Sequence, residues 1–126
     1  MKFNLKSLID MNKTLKSIID NENILIKAST KFRILGILKA LEPHMVNFEI
    51  IRNEKVKEYG EKDQDGNYAI AIENHAAMES FNNDMKALLN ETVSIAMNQI
   101  LAEDIMVSGV TSSDLLCLDP ILAGGE

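Results

Sequence analysis

The 126-residue chain carries 46% hydrophobic and 25% charged residues, the size and composition of one globular domain, taken here as residues 1–126. No apolar run approaches the roughly 20 residues that cross a bilayer, and no apolar block follows Met1-Lys2, so a soluble, intracellular chain with no membrane role is expected. Its only cysteine, Cys117, closes no internal disulfide and has no second Cys with which to share a metal, while scarce Pro (2) and Gly (6) favour long regular elements over a many-turned sandwich or barrel.

The formal charge of −6 is unevenly placed. Residues 1–62 hold 12 Lys/Arg against 8 Asp/Glu, a net +4, and residues 63–126 hold one Lys against 11 acids, a net −10. The halves either neutralise each other across the fold, the favoured reading, or present two faces of opposite charge. With 11 Lys and only 2 Arg, the planar fork that reads bases is scarce, and sequence-specific nucleic-acid binding is not expected.

In chain order, Lys2-Phe3-Asn4-Leu5 alternates as a short strand does. Leu5, Leu8, Ile9, Met11, Leu15, Ile18 and Ile19 then recur at helical spacing up to Asp20-Asn21. Leu5–Asp10 is echoed by Leu15–Asp20, but ten residues turn a helix by about 1000°, leaving the copies about 80° apart, so the echo is compositional. A second helix is predicted from Leu25 or Ala28 to Tyr59. Its stripe is Phe32, Leu35, Leu38, Leu41, Met45, Phe48, Ile51 or Arg52, Val56 and Tyr59, with a kink or short break at Leu41-Glu42, a restart at Pro43 and a stop at Gly60.

Gly60–Gly66 is polar throughout and ends in the turn pair Asp65-Gly66; Tyr68–Ile72 alternates as a strand, and Asn74 caps a helix carrying Met78, Phe81, Met85, Leu88 and Leu89. Val93–Met97 reads as a strand, although Met97, Ile100 and Leu101 also suit a helix. Gly109 breaks the chain, Thr111-Ser-Ser-Asp114 caps a short helix through Leu118, Pro120 closes it, and Ala123–Glu126 is expected to fray. The fold class is therefore α+β and mainly helical, with long helices, one of them either kinked at or continuous through Pro43, packed on a small, partly antiparallel sheet of strands near 2–5, 68–72 and 93–97.

The acidic loop has part of the pattern of a calcium site. With Gly66 at the sixth EF-hand position, Glu61, Asp63, Asp65 and Asn67 align, but Ile72 falls where the bidentate Glu is needed, so a solvated turn is expected and no metal. His44 and His75 lie 31 residues apart with no nucleophile elbow around any serine, and Cys117 sits between two leucines as a buried small residue does. No phosphate-cradling glycine loop occurs, so neither an enzyme nor a cofactor is expected. The sequons at Asn12 and Asn90 fall in or beside helices and are read as chance, Glu49, Glu54 and Glu58 as surface partners of Arg52, Lys55 and Lys57, and Met11, Met45, Met78 and Met85 as core filler more than docking surface.

Leu41-Glu-Pro-His-Met45, Lys57-Glu-Tyr-Gly-Glu-Lys-Asp-Gln-Asp-Gly-Asn-Tyr68 and Phe81-Asn-Asn-Asp-Met-Lys-Ala-Leu-Leu89 together resemble a family of short, uncharacterised proteins of tailed phages and prophages of low-GC Gram-positive bacteria. The likeness covers about residues 20–118 and rests on structural punctuation, a long helix, a Tyr-Gly-Glu-Lys-Asp turn and an Asp-Gly-Asn-Tyr strand entry. It implies a phage origin, agrees with the Ile-, Asn- and Lys-rich composition of an AT-rich genome, and supplies no catalytic residue.

The expected function is a non-enzymatic, phage-encoded module that binds a phage or host protein in virion assembly or host takeover. It would work in the bacterial cytoplasm or on the virion, with homo-oligomerisation open. The competing expectation is an acidic inhibitor of a host defence nuclease, a partial nucleic-acid mimic in which Asp63, Asp65, Glu73, Glu79, Asp84 and Glu91 form a row on one face. An assembly protein should instead expose a contiguous apolar patch.

Overall fold

A computed structural model describes residues 2–123. The chain is α+β and 64% helical, and it divides into two compact units, Met1–Pro43 with Thr92–Glu126, and His44–Glu91. No helix among the described residues is long and apolar enough to cross a membrane.

In the first unit, strand β1 (Lys2–Asn4) runs directly into helix α1 (Leu5–Asp20). The switch is made by Asn4, whose side chain accepts from the Ser7 N–H at 2.8 Å and satisfies one of the helix's unpaired donors. Leu5, Leu8, Met11, Leu15 and Ile18 form the buried stripe expected of α1. The strand near 93–97 is shorter than its alternation predicts: β4 is Thr92–Ser94 and pairs antiparallel with β1, Phe3 opposite Val93. Residues 95–99 are neither strand nor helix. Strand β5 (Ile100–Leu101) leads into α4 (Ala102–Ile105). Thr111 then caps α5 (Ser112–Leu118) in a complete capping box with Asp114. Pro120 lies within the following 3-10 turn (Asp119–Ile121), and β6 (Leu122–Ala123) pairs parallel with β5. Residues 124–126 of the expected frayed end lie outside the described residues. Leu8, Met11, Leu15, Ile34, Leu41, Ile100, Ile105, Leu118 and Ile121 are fully buried and make the core of this unit.

Of the kink or short break expected at Leu41-Glu42, the break does not occur: helix α2 spans Ala28–Tyr59 with Pro43 inside it. Proline removes one hydrogen bond of the ladder, and the exposed Pro43 ring is accommodated while the bonds of adjacent turns persist. The predicted stripe is wrong at its start. Phe32 and Leu35 face solvent, and the buried face is Thr30, Ile34, Ile37 and Leu41. Residues 32–38 carry apolar side chains nearly all round, so periodicity alone offered two stripes.

In the second unit, α2 ends at Gly60, whose N–H donates to the Val56 carbonyl at 2.7 Å. Strand β2 (Glu61–Lys62) pairs antiparallel with β3 (Tyr68–Ala69) in a hairpin. The strand expected over 68–72 therefore stops after two residues and joins no sheet with β1 or β4. The chain turns where the Asn74 N–H reaches the Ala71 carbonyl (3.0 Å), leaving Ile72 exposed. Gly66 adopts φ 85°, the left-handed conformation the hairpin turn requires. Asn74 accepts from the Ala77 N–H and caps α3 (His75–Leu89), as its sequence predicts. Met85 alone of the unit's large apolar side chains is buried, with Met78, Phe81, Leu88 and Leu89 half-buried.

Candidate partner-binding surfaces

The first unit carries an apolar groove of about 390 Å³ lined by Ala102, Met106, Ser112, Leu115, Leu116, Asp119 and Leu122. Its origin is local. Leu118 is drawn into the core of the unit, and in a seven-residue helix Leu116 then lies about 200° away around the axis, on the outward side. Leu116 is 77% exposed and Met106 65%, large apolar areas left to water at a cost that burial against another surface would remove.

On α2 of the same unit, Phe32 is 79% exposed and Leu35 50%. Between Ala28 and Leu41 this helix carries Lys31, Arg33 and Lys39 and no carboxylate, so the exposed ridge is cationic. Gly36 lies beside it in open space, with no side chain and no backbone from beyond its own stretch of helix within 4 Å of where a Cβ would stand. The sequence names none of Met106, Leu115, Leu116 or Phe32 as a binding residue. The available signal was the pair of adjacent leucines in a helix too short to bury both.

The six acids expected in a row fall in the second unit with different roles. Asp63 is exposed and accepts from the Asp65 and Asn67 N–H groups at 2.9 Å each through one carboxylate oxygen, Oδ1, which organises the turn. Asp84 accepts from the Tyr59 hydroxyl at 2.6 Å and pairs with Lys55 at 3.4 Å. The Tyr59 hydroxyl, then the Lys55 ammonium, hold Asp84 below the usual carboxylate range. In return Asp84 raises the Tyr59 phenol, and Glu58, ahead of Asp84, raises Lys55. Asp65, Glu73, Glu79 and Glu91 are exposed, and on α3 the five-residue step from Glu79 to Asp84 separates them by about 140°.

In the first unit Lys27 pairs with Asp104 at 2.7 Å, raising the lysine and lowering the acid, with the Thr30 hydroxyl adding to the latter. Each of these shifts reinforces the protonation state the group already has at neutral pH, charged for Asp84, Lys55, Lys27 and Asp104 and neutral for Tyr59. A general acid or base needs the opposite, a value drawn toward neutrality. Cys117 is half-buried and its sulfur accepts from the Thr14 hydroxyl at 3.3 Å. Neither imidazole, His44 on α2 nor His75 at the start of α3, takes part in a side-chain hydrogen bond or ion pair among the described residues.

No family model, curated protein or solved structure matches this chain.

Proposed function

We propose that the protein is a non-enzymatic binding module that acts by docking another protein on the first unit. The observation that carries this reading is the groove at Met106, Leu115, Leu116 and Leu122, where large apolar side chains stay exposed beside acidic residues. Exposed apolar side chains gathered in one groove beside a polar wall are the kind of surface that docking another protein would cover. The sequence resemblance to short phage and prophage proteins is what supports reading that binding as part of virion assembly or host takeover. The nuclease-mimic alternative has less support, because Asp84 is neutralised by Lys55 and Tyr59 and one carboxylate oxygen of Asp63 is held in its own turn.

The test is affinity capture of the tagged protein from host and phage-infected cells, with mass spectrometry of what is retained. One protein, this chain or another, should be enriched by the wild type and lost with Leu116→Lys, which alters the groove without touching the core. Equal recovery with both forms, or nothing above background in either cell type, would sink the proposal.

A further inference from the structure

The docking reading leaves the occupant of the groove open, and the inference here rests on that reading. We infer that the groove receives the Ala28–Leu41 face of α2 from a second copy of this chain, with Phe32 seated between Met106 and Leu116. Two surfaces of the first unit complement each other in polarity and in charge. The groove has an apolar floor and is built from residues 92–123, which contain Glu103, Asp104, Asp114 and Asp119 and no Lys or Arg. Asp104 is neutralised by Lys27 and Asp114 closes the capping box, whereas Glu103 and Asp119 are exposed, Asp119 on the groove wall itself.

The ridge is the reverse. Phe32 and Leu35 stand exposed, and Lys31 and Lys39 form no ion pair among the described residues. Arg33 reaches only the Gln99 carbonyl, at 3.5 Å. On a 3.6-residue helix Phe32 and Lys39 lie about 20° apart and Arg33 about 100° from Phe32, so a Phe entering the groove brings Lys39 along its rim toward Asp119. A phenyl ring contributes about 150–250 Å² of burial, and paired charges at the rim fix the register. Both surfaces remain exposed within one copy, so neither is satisfied by the other internally.

A ridge on one copy entering a groove on the next is a heterologous contact, which propagates into chains or closes into a ring. A contact centred on one phenyl ring in a groove of about 390 Å³ is small, so the association proposed is weak and becomes visible as protein concentration rises.

The experiment is sedimentation velocity on the full chain from micromolar to millimolar concentration, for the wild type, Phe32→Asp and Leu116→Lys. Both substituted side chains are largely exposed, and unchanged thermal unfolding of each variant verifies the fold. The wild type should grow in mass with concentration. Phe32→Asp sets an acid against the acidic rim, and Leu116→Lys a cation against the cationic ridge, so each alone should stay monomeric. Mixed in equal amounts they retain one intact contact, the ridge of the Leu116→Lys chain in the groove of the Phe32→Asp chain, and should form a 1:1 dimer that grows no further. A wild type monomeric throughout, or association that neither variant alters, overturns the inference. If a different protein is captured from cells through Leu116 while the wild type stays monomeric, the inference falls and the docking function stands; if capture also fails, both fall.

Discussion

Gly36→Ala should stabilise the protein, and the expected size follows from the structure. Gly36 lies inside α2, has no positive φ, and offers open space where a Cβ would be placed. The substitution therefore adds no clash and recovers the difference in helix propensity, about 0.8–1.0 kcal/mol. With an unfolding entropy of about 2.1 cal/mol/K per residue over the whole chain, that gain raises Tm by about 3–4 °C. Gly60→Ala is the internal contrast. A Cβ there would press on the Val56 carbonyl oxygen and stand 2.7 Å from the Ala69 carbonyl oxygen, both backbone atoms that cannot rotate away. It should destabilise by about 1–3 kcal/mol, the range for overpacking. Calorimetry or circular dichroism melting of the two variants beside the wild type is the assay. A Tm for Gly36→Ala at or below the wild-type value would refute the reasoning, because it would mean that the space above Gly36 is needed within a single chain.

The Tyr59–Asp84–Lys55 cluster sets a pH dependence. Asp84 is held below its usual 3.8, so the stability it contributes is present above that value and is lost as pH falls through its lower native pKa. Lys55 and Tyr59 are raised above 10.5 and 10.0, so their contributions are complete below those values and disappear as pH rises through the native ones. The Tm difference between wild type and Asp84→Asn should accordingly be flat around neutrality and shrink in strong acid and strong alkali; a difference that persists unchanged to pH 2 would contradict it. At α5, Thr111→Ala deletes the acceptor for the Asp114 N–H (3.1 Å) and disturbs the reciprocal bond from the Thr111 N–H to Asp114 (3.0 Å). A loss of about 1 kcal/mol in urea unfolding is expected, and an unchanged midpoint would show that the box contributes nothing to stability.

Much of the local architecture was legible in the residues. The stripe of α1 appears in sequence because its polar face is unbroken by apolar residues, and the caps at Asn74 and Thr111 because Asn and Thr hydroxyl or amide oxygens satisfy N–H groups only a few residues away. Gly66 is marked for the same reason: the turn it serves involves only its neighbours. These are short-range interactions, and the mainly helical α+β class follows from them.

What the sequence could not decide was which of several apolar faces is covered. Along residues 32–38 both candidate stripes of α2 are hydrophobic, and only the packing of Ile34, Ile37 and Leu41 into the core of the first unit leaves Phe32 and Leu35 outside. Leu116 and Leu118 are chemically identical, and the fold buries one and exposes the other. The strands likewise depended on partners distant in the chain, Thr92–Ser94 on Lys2–Asn4 and Ile100–Leu101 on Leu122–Ala123. Even the acidity of residues 63–126, plain in the composition, acquired its meaning in three dimensions, where Lys55, Tyr59 and Lys27 take up Asp84 and Asp104. Local hydrogen-bonding and propensity are properties of a few adjacent residues, and the sequence determined them. Burial and pairing are set by residues brought together from far along the chain, and the tertiary structure alone decided those.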